Sequence, residues 1–302
     1  MSQYKRSSYF ITGVILSVLG AICFSTKAIF VKLAYRETAV DAVTLLALRM
    51  IFSLPFFAVS AWWATLKSSN VKFTAKQWIA VGLIGCLGYY ISSLLDFIGL
   101  QYVTAGIERL ILFAYPTMVL LMSALIFKVN INRAQWIALV ITYVGLLIAF
   151  WGEVSFVGKS THFYLGAGSI FICAITYAMY IVGSGRIIPA VGATKFNSYA
   201  MSFAALAVII HFIIVNDNSL LFLDFEIYAY SFLMAIIGTV IPSYLVTQGI
   251  NRVGSDNTAI IGSVGPVSTI VQAYFFLNEP IHLMQLSGTA LILTGILIIS
   301  RK

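Results

Sequence analysis

The segment from about residue 88 to residue 298 contains the same residue pattern twice, 150 positions apart and without a gap. Its matched residues include glycines and a proline, which set local backbone geometry and are harder to match by chance than apolar side chains. The matched pairs are Gly88/Gly238, Ile91/Ile241, Ser93/Ser243, Leu95/Leu245, Gly99/Gly249, Val103/Val253, Pro116/Pro266, Ile131/Ile281, Gln135/Gln285, Gly145/Gly295, Leu147/Leu297 and Ile148/Ile298. A chain that repeats itself in this way inside a membrane is most often a transporter built from two halves.

The composition excludes a soluble globular domain. Of the 302 residues, 61% are hydrophobic and only 9% are charged, and the mean hydropathy is +0.98, whereas soluble domains carry about 25% charged residues. The net charge is +8, but the basic residues form no patch or tail, so we expect no nucleic-acid partner. Cys23, Cys86 and Cys173 lie in apolar stretches without CxxC spacing, which favours buried packing over redox or metal chemistry.

Ten apolar stretches approach the length of about 20 residues that a membrane-spanning helix needs. They cover approximately residues 10–32, 42–63, 78–99, 105–127, 134–152, 163–184, 196–215, 228–249, 257–277 and 282–300. The sequence therefore predicts an all-α polytopic membrane protein with ten transmembrane helices and short connections.

The distribution of Lys and Arg predicts how these helices are oriented. With the N-terminus in the cytoplasm, twelve basic residues lie in inside segments and three in outside loops, which is the positive-inside bias of membrane proteins. The inside residues are Lys5, Arg6, Lys67, Lys72, Lys76, Lys128, Arg133, Arg186, Lys195, Arg252, Arg301 and Lys302, and the outside residues are Lys32, Arg36 and Lys159. We expect both termini in the cytoplasm and, from the compact loops, a bacterial inner (plasma) membrane.

Each half of the repeat holds five predicted helices, and this odd number forces the second half to enter the membrane from the opposite side. The expected arrangement is an inverted-topology repeat with a pseudo-two-fold axis in the membrane plane. Residues 1–152 form the first five-helix repeat and residues 153–302 the second. The first helices of the two halves match at an offset of 153, which places Phe24 opposite Tyr177.

Two stretches carry a resemblance to a known family. Residues 108–116 read ERLILFAYP, and residues 260–266 read IIGSVGP and are followed by FLNEP at 276–280. In order and spacing they resemble the ten-helix EamA branch of the drug/metabolite transporter superfamily, over nearly the whole chain. The resemblance implies two inverted five-helix units around a central cavity, and export or exchange of small metabolites without ATP. The chain departs from the pattern at Lys128-Val129, where its second half has Asn278-Glu279.

Charged residues inside the predicted spans are the strongest candidates for function, because each costs roughly 2.5–3.5 kcal/mol or more at the bilayer centre. Lys27 lies deep in the first helix. It either binds an anionic group of a substrate or is a structural partner of Asp96 or Glu108. Arg49, in the second helix, is interpreted as a structural ion-pair partner outside the site.

A polar stripe on the third predicted helix consists of Tyr89, Ser92, Ser93 and Asp96, at helical spacing. Such a stripe is costly against lipid, so we expect it to line a cavity, where Asp96 could accept a substrate amine or carry a proton. The alternative is a hydrogen-bond network between packed helices. The corresponding helix of the second half carries hydroxyl residues but no charge, so we expect an asymmetric site.

Glu108 and Arg109 begin the fourth predicted helix, where a carboxylate is favoured. Their role is either capping and pairing, or gating and proton transfer. Pro116 and Pro266 each remove a backbone hydrogen bond and should bend their helices. Interrupted helices at matching positions of two halves point to a transporter binding site, whereas the alternative is a simple bend that fits the bundle.

Further substrate-binding candidates come from aromatic and polar side chains near these prolines or at central depth, where tyrosines can stack on or hydrogen-bond to a substrate. They are Tyr115, Tyr177, Tyr180, Tyr244, Ser268 and Gln272. No metal-ligand spacing and no catalytic triad pattern occurs in the sequence.

The sequence as a whole predicts a transporter that is not an enzyme and needs no cofactor. We expect a monomer in the lipid bilayer that exports or exchanges a small polar or amphipathic, amino-acid-like metabolite by alternating access, with protons as the candidate coupling ion. The alternative is a flippase for lipid or lipid-linked substrates on the same scaffold. An intramembrane enzyme is disfavoured because no HExxH, GxSxG or paired catalytic carboxylate motif occurs, and a sensor or scaffold because the short loops give partners little surface.

Overall fold

The protein is described from a computed structural model, and the described residues are 3–66, 72–149, 151, 161–215, 220, 222–278, 281 and 283–300. Every regular element that they form is helical. The first half contains α1 (Gln3–Glu37), α2 (Ala42–Leu66), α3 (Ala75–Gly85), α4 (Ser92–Tyr102), α5 (Ala105–Leu112), α6 (Tyr115–Phe127) and α7 (Arg133–Ala149). The second half contains α8 (Thr161–Val191), α9 (Ala193–Val215), α10 (Phe225–Ala235), α11 (Ile241–Val253), α12 (Ser255–Ile261), α13 (Val264–Leu277) and α14 (Leu283–Ser300).

Eight helices of the described residues are long and apolar enough to cross a membrane. They are Ser8–Glu37, Ala42–Leu66, Ala75–Tyr102, Ala105–Phe127, His162–Val191, Ala193–Val215, Phe225–Val253 and Ser255–Leu277. The predicted fifth and tenth spans correspond to two shorter apolar stretches, Arg133–Ala149, which is α7, and Leu286–Ile298 within α14. The all-helical membrane fold is thus confirmed, and the count of ten spans stays a prediction. Lys67, Lys159, Glu279, Pro280, Arg301 and Lys302, on which parts of the sequence argument depend, lie outside the described residues.

Irregular backbone features recur about 150 residues apart. A π-helical turn joins α3 to α4 at Cys86–Ile91, and a second joins α10 to α11 at Ile236–Val240. Lys128 and Asn278 end α6 and α13 with left-handed backbones, at φ 53° and 56°. The two halves therefore share local backbone geometry even where a charged residue of one half, Lys128, corresponds to a neutral residue of the other, Asn278.

The two halves exchange their first helices. Helix α1 packs mainly against α11 and α13 of the second half, and α8 packs against α4 and α6 of the first. The second helices, α2 and α9, pair with each other, as do the last helices, α7 and α14. Close approach depends on small residues. A Cβ atom added to Gly88 would lie 2.3 Å from Cγ of Tyr180, and one added to Gly145 would lie 2.6 Å from the carbonyl oxygen of Gly288.

The outside of the bundle is apolar, as expected for a surface that faces lipid. Leu125 is 81% exposed and Ile213 is 70% exposed. The interior, in contrast, holds buried hydroxyl, amide and charged side chains among its apolar residues. Polar chemistry in this protein is therefore concentrated between the helices, where the functional site has to be sought.

Candidate functional site

A buried ion pair joins α1 and α4, two neighbouring helices of the first half. The Nζ atom of Lys27 lies 2.7 Å from Oδ2 of Asp96, and the two side chains are 3% and 0% exposed. Nζ of Lys27 also lies 4.7 Å from the ring centroid of Phe24. The ammonium of Lys27 is thus neutralised by Asp96 rather than presented to an open cavity.

A second pair of opposite charges lies at the start of α5. Nε of Arg109 lies 3.1 Å from Oε2 of Glu108, and the side chains are 6% and 0% exposed. Glu108 lies in the first turn of α5, which is capped by the hydroxyl of Thr104. The carboxyl groups of Glu108 and Asp96 lie near enough to interact electrostatically, and their oxygens have no hydrogen-bond partner among the described residues. A single proton could therefore be shared between these two acids.

Arg49 of α2 completes this group of charges. It is 0% exposed, its Nη2 donates a hydrogen bond to Oγ of Ser93 at 3.1 Å, and its guanidinium lies 5.2 Å from the ring centroid of Phe97. Its Nε and Nη1 have no hydrogen-bond partner among the described residues. We call the five residues Lys27, Arg49, Asp96, Glu108 and Arg109 the charged cluster. When all of them are ionised, it carries three positive charges and two negative ones.

A cavity opens beside the charged cluster, between residues of α1, α5, α6, α8, α11, α12 and α13. Its empty space, counted with its opening, is about 580 Å³. We call it the central cavity. Phe24, Arg109, Tyr115 and Tyr177 contribute to its wall. The ring of Tyr177 stacks on Phe24 at 5.8 Å and meets Tyr115 edge-on at 5.2 Å, so aromatic faces and edges form much of the lining.

Both helix interruptions border the central cavity. Helix α5 ends before Phe113, and α12 ends before Gly262, and both of these residues line the cavity. The sequence predicted bent helices around Pro116 and Pro266, but each helix instead stops and starts again just before its proline. A proline near a new helix start loses no helical hydrogen bond, because the first N–H groups of a helix have no partner within it.

One hydrogen bond ties the two interruptions together. Oη of Tyr115, which follows the first break, donates to the backbone oxygen of Ala259 at 3.0 Å. Ala259 lies in α12, just before the second break. Carbonyl groups that the breaks release are thus partly satisfied from the other half of the molecule, as non-helical backbone at membrane depth requires.

Comparison with known proteins identifies the family. The EamA-like transporter family matches the chain twice, over residues 11–151 and 164–301. The chain belongs to the EamA-like transporter family. It is therefore a membrane transporter of the drug/metabolite transporter superfamily, and the resemblance seen in the sequence is confirmed.

Two relatives and one solved structure match this EamA-like chain over most of its length. It is 29% identical over 280 residues to the uncharacterized transporter YcbK of Bacillus subtilis, a match that covers 91% of this chain and 88% of the relative. It is 19% identical to the uncharacterized inner membrane transporter YicL of Salmonella typhimurium, over 95% of each chain. A crystal structure with 16% sequence identity superimposes with a TM-score of 0.72, covering 98% of this chain and 96% of the other. This likeness shows a shared fold.

The structure of the EamA-like chain brings some predicted site residues to the central cavity and leaves others behind it. Arg109, Tyr115, Tyr177 and Pro266 line the cavity. The residues of the polar stripe on the third predicted helix lie instead in the packed interior. Their contacts are the edge-on ring pair of Tyr89 and Tyr180 at 5.0 Å, the 3.2 Å contact of Ser92 Oγ with Cys173 Sγ, and the bond of Ser93 to Arg49.

Three predicted binding residues lie apart from the central cavity of this transporter. The ring of Tyr244 packs on Phe57 at 5.8 Å, and its hydroxyl lies 2.9 Å from Oγ of Ser198. Nε2 of Gln272 donates to Oγ of Ser268 at 2.7 Å and to the backbone oxygen of Ile22 at 3.3 Å. These side chains therefore connect α11 to α9, and α13 to α1. Whether any of them meets a substrate stays a prediction.

Sequence reasoning missed a second, more polar pocket at the ends of α6, α8 and α12. Its empty space, with its opening, is about 630 Å³, and it is lined by Arg186, Gln135 and Asn257 among others. Asp256 accepts a hydrogen bond from Ser123 there at 2.7 Å. The predicted topology places this pocket at the cytoplasmic end of the transporter. The clustered polar residues at 255–257 were the available sequence signal.

Proposed function

We propose that this EamA-like transporter is a secondary-active transporter that exports or exchanges a small polar or amphipathic metabolite by alternating access between two five-helix halves. The observation that carries the proposal is the central cavity, which is lined by both halves and bordered by both helix interruptions. Interrupted helices at corresponding positions of two repeats are where secondary transporters place their binding sites.

In this proposal, ten helices cross the bacterial inner membrane, the second half is inverted relative to the first, and both termini are cytoplasmic. The twelve-to-three distribution of basic residues supports the orientation. Helix α7 has 17 residues and α14 has 18, which at 1.5 Å per residue gives lengths of about 26 and 27 Å. That is close to the hydrocarbon thickness of about 30 Å, so both helices can serve as spans.

The same proposal gives the charged cluster the role of coupling. The carboxyl groups of Asp96 and Glu108 are near each other, and each has a cation beside it, Lys27 for Asp96 and Arg109 for Glu108. A proton taken up by the pair would loosen one of these cations, and its loss would restore the pair. Protons are thus the proposed coupling ion, and the halves rock around the breaks between α5 and α6 and between α12 and α13.

Cysteine accessibility tests alternating access directly. Thr258 lines the central cavity, so Thr258→Cys is placed in a background in which Cys23, Cys86 and Cys173 are replaced by Ala or Ser. A membrane-impermeant maleimide is then applied to right-side-out and to inside-out vesicles. We expect labelling from both sides, because the cavity opens to each in turn.

Thr142→Cys is the matched control, since Thr142 is 0% exposed and lies on α7, away from the cavity. It should stay unlabelled from either side. Labelling of Thr258→Cys from one side only, under every condition of pH and solute, would contradict alternating access.

A further inference from the structure

Among the described residues that line the central cavity, one has a charged side chain, and it is Arg109. It is 5% exposed, and its Nε and Nη2 have no hydrogen-bond partner among the described residues. A buried guanidinium with unused donors is costly in free energy. Burial removes the hydrogen bonds that its N–H groups make to water, and no protein acceptor replaces them. The wall of the cavity thus contains donors that a ligand could satisfy.

Glu108 does not use these donors. It precedes Arg109 in the chain, and adjacent residues of a helix do not face each other. Its carboxylate approaches Nε at 3.1 Å without the geometry of a hydrogen bond. A guanidinium presents two parallel N–H groups that match the two oxygens of a carboxylate. Arg109 is therefore free to make the paired contact that its neighbour cannot make.

The balance of charge favours an anion. The charged cluster has three cations and two carboxylates, and Lys27 and Asp96 neutralise each other within it. A ligand with one negative charge would make the ionised cluster neutral, whereas a cationic ligand would increase its excess positive charge in a medium where charge is poorly screened. No carboxylate is described among the residues that line the cavity, so an ammonium group would find no ionic partner there.

The rest of the wall selects for an apolar body. Phe24, Phe113, Tyr115 and Tyr177 surround the space next to Arg109. Hydroxyl groups of the described lining belong to Ser17, Tyr115, Tyr177 and Thr258. Ligand pockets of this kind, mostly apolar with a few placed polar groups, bind the body of a ligand by burial and fix its orientation by the polar contacts.

We infer that the central cavity binds a monocarboxylate with an aromatic or branched apolar body, and that Arg109 receives its carboxylate group. This inference rests on the proposed function and narrows the substrate class. It also departs from the expectation of an amino-acid-like substrate, because the α-ammonium group of an amino acid has no anionic partner among the described residues that line the cavity.

Equilibrium binding of three probes of similar shape to the purified full-length protein tests the inference. The probes are phenylacetate, phenylacetamide and phenethylamine, with one negative, no and one positive charge. We expect phenylacetate to bind at least about tenfold more tightly than the other two, as a charge-assisted hydrogen bond predicts. Equal binding of phenylacetate and phenylacetamide, or no binding of any probe to the unmodified protein, would overturn it.

Substitutions then assign the contact. Arg109→Gln should abolish the preference for phenylacetate over phenylacetamide, and Arg109→Lys should keep part of it, because it retains the charge but loses the paired donors. Arg186→Gln is the matched control, since Arg186 lines the other pocket, and it should keep the full preference. If Arg109→Gln does not fold, Arg109→Lys decides, and an unchanged preference in either folded variant rejects the assignment.

The binding measurements and the cysteine labelling together separate this inference from the proposed function. Cysteine labelling from both sides with no carboxylate preference would leave alternating access standing and reject the monocarboxylate. A carboxylate preference that depends on Arg109, with labelling from one side only, would leave the monocarboxylate site standing and reject alternating access.

Discussion

The two halves of the molecule make the same hydrogen bond with different chemistry. In the first half, Nη2 of Arg49 on α2 donates to Oγ of Ser93 at 3.1 Å. In the second half, Nδ2 of Asn197 on α9 donates to Oγ of Ser243 at 2.9 Å. The second helix of each half is thus connected to the same serine of the repeat. A charged residue makes the bond in one half and a neutral one in the other.

This difference extends through the whole charged cluster. At offsets of 150 and 153 positions, neutral residues occupy the places that correspond to the charges, and the pairs are Lys27/Tyr180, Asp96/Val246, Glu108/Thr258 and Arg109/Ala259. The backbone features recur in both halves, but all five residues of the charged cluster lie in the first half. Repetition therefore supplies the scaffold, and the chemistry has diverged in one copy.

The largest effect is expected from breaking the buried ion pair. Asp96→Asn leaves the ammonium of Lys27 buried without its counter-ion, and removing one partner of a buried pair is destabilising by about 3–5 kcal/mol. The loss is measured by unfolding the purified protein in detergent with heat or denaturant.

A double substitution separates the missing charge from the missing shape. Lys27→Met with Asp96→Leu removes both charges and should recover most of the lost stability, because apolar pairs of similar volume often replace buried ion pairs without loss. If Asp96→Asn alone were as stable as the unmodified protein, the pair would not hold α1 against α4.

The next largest effect distinguishes the two repeats at one matched glycine. A Cβ added to Gly88 would lie 2.3 Å from Cγ of Tyr180, whereas one added to Gly238 would lie 3.4 Å from Cβ of Lys27. We expect Gly88→Ala to destabilise the protein by about 1–3 kcal/mol through overpacking. Gly238→Ala should be nearly neutral and serves as the control. Thermal unfolding of both variants checks this, and equal effects would show that the two contacts do not differ as described.

The sequence was sufficient to predict the helical membrane fold and the family. Long apolar stretches, basic loop residues and a gapless repeat are patterns of residue type, so they can be recognised without knowledge of the packing. It did not predict the π-helical turns at Cys86–Ile91 and Ile236–Val240. Such turns contain ordinary apolar residues, and their hydrogen bonds depend on tertiary packing rather than on local propensity. The breaks before Pro116 and Pro266 were predicted in position but not in kind.

The site was predictable in its residue types and less so in its contacts. The sequence offered two roles for Lys27, as substrate anchor or as partner of Asp96 or Glu108, and only the rotation of α1 against α4 places Nζ 2.7 Å from Asp96. Arg49 was interpreted as a structural ion-pair partner outside the site, yet it is 0% exposed and bonds to Ser93 beside the other buried charges. Which face of a helix looks inward depends on the packing of several helices at once.

A smaller effect is expected at the hydrogen bonds that connect the two helix breaks to other helices. Oη of Tyr115 donates to the backbone of Ala259 at 3.0 Å, and Oγ of Ser25 is 2.9 Å from the backbone oxygen of Gly265 and 2.8 Å from that of Ala21. Tyr115→Phe should lower the free energy of unfolding by about 1 kcal/mol. Ser25→Ala should cost less, because its single proton is divided between two acceptors. Thermal unfolding measures both, and a larger loss for Ser25→Ala would contradict this order.

The smallest effect returns to the matched bonds of Arg49 and Asn197. Arg49→Met removes a buried charge whose Nε and Nη1 have no hydrogen-bond partner among the described residues, and it keeps an unbranched apolar side chain. We expect a change in stability within about 1 kcal/mol, and a gain is physically reasonable, because replacing buried charge by apolar groups is often neutral or stabilising. Asn197→Leu instead removes the 2.9 Å bond to Ser243 and adds no relief of charge, so it should be the more destabilising of the two. Denaturant unfolding of both variants decides, and a loss of several kcal/mol in Arg49→Met would mean that the surplus cation is itself part of what holds the first half together.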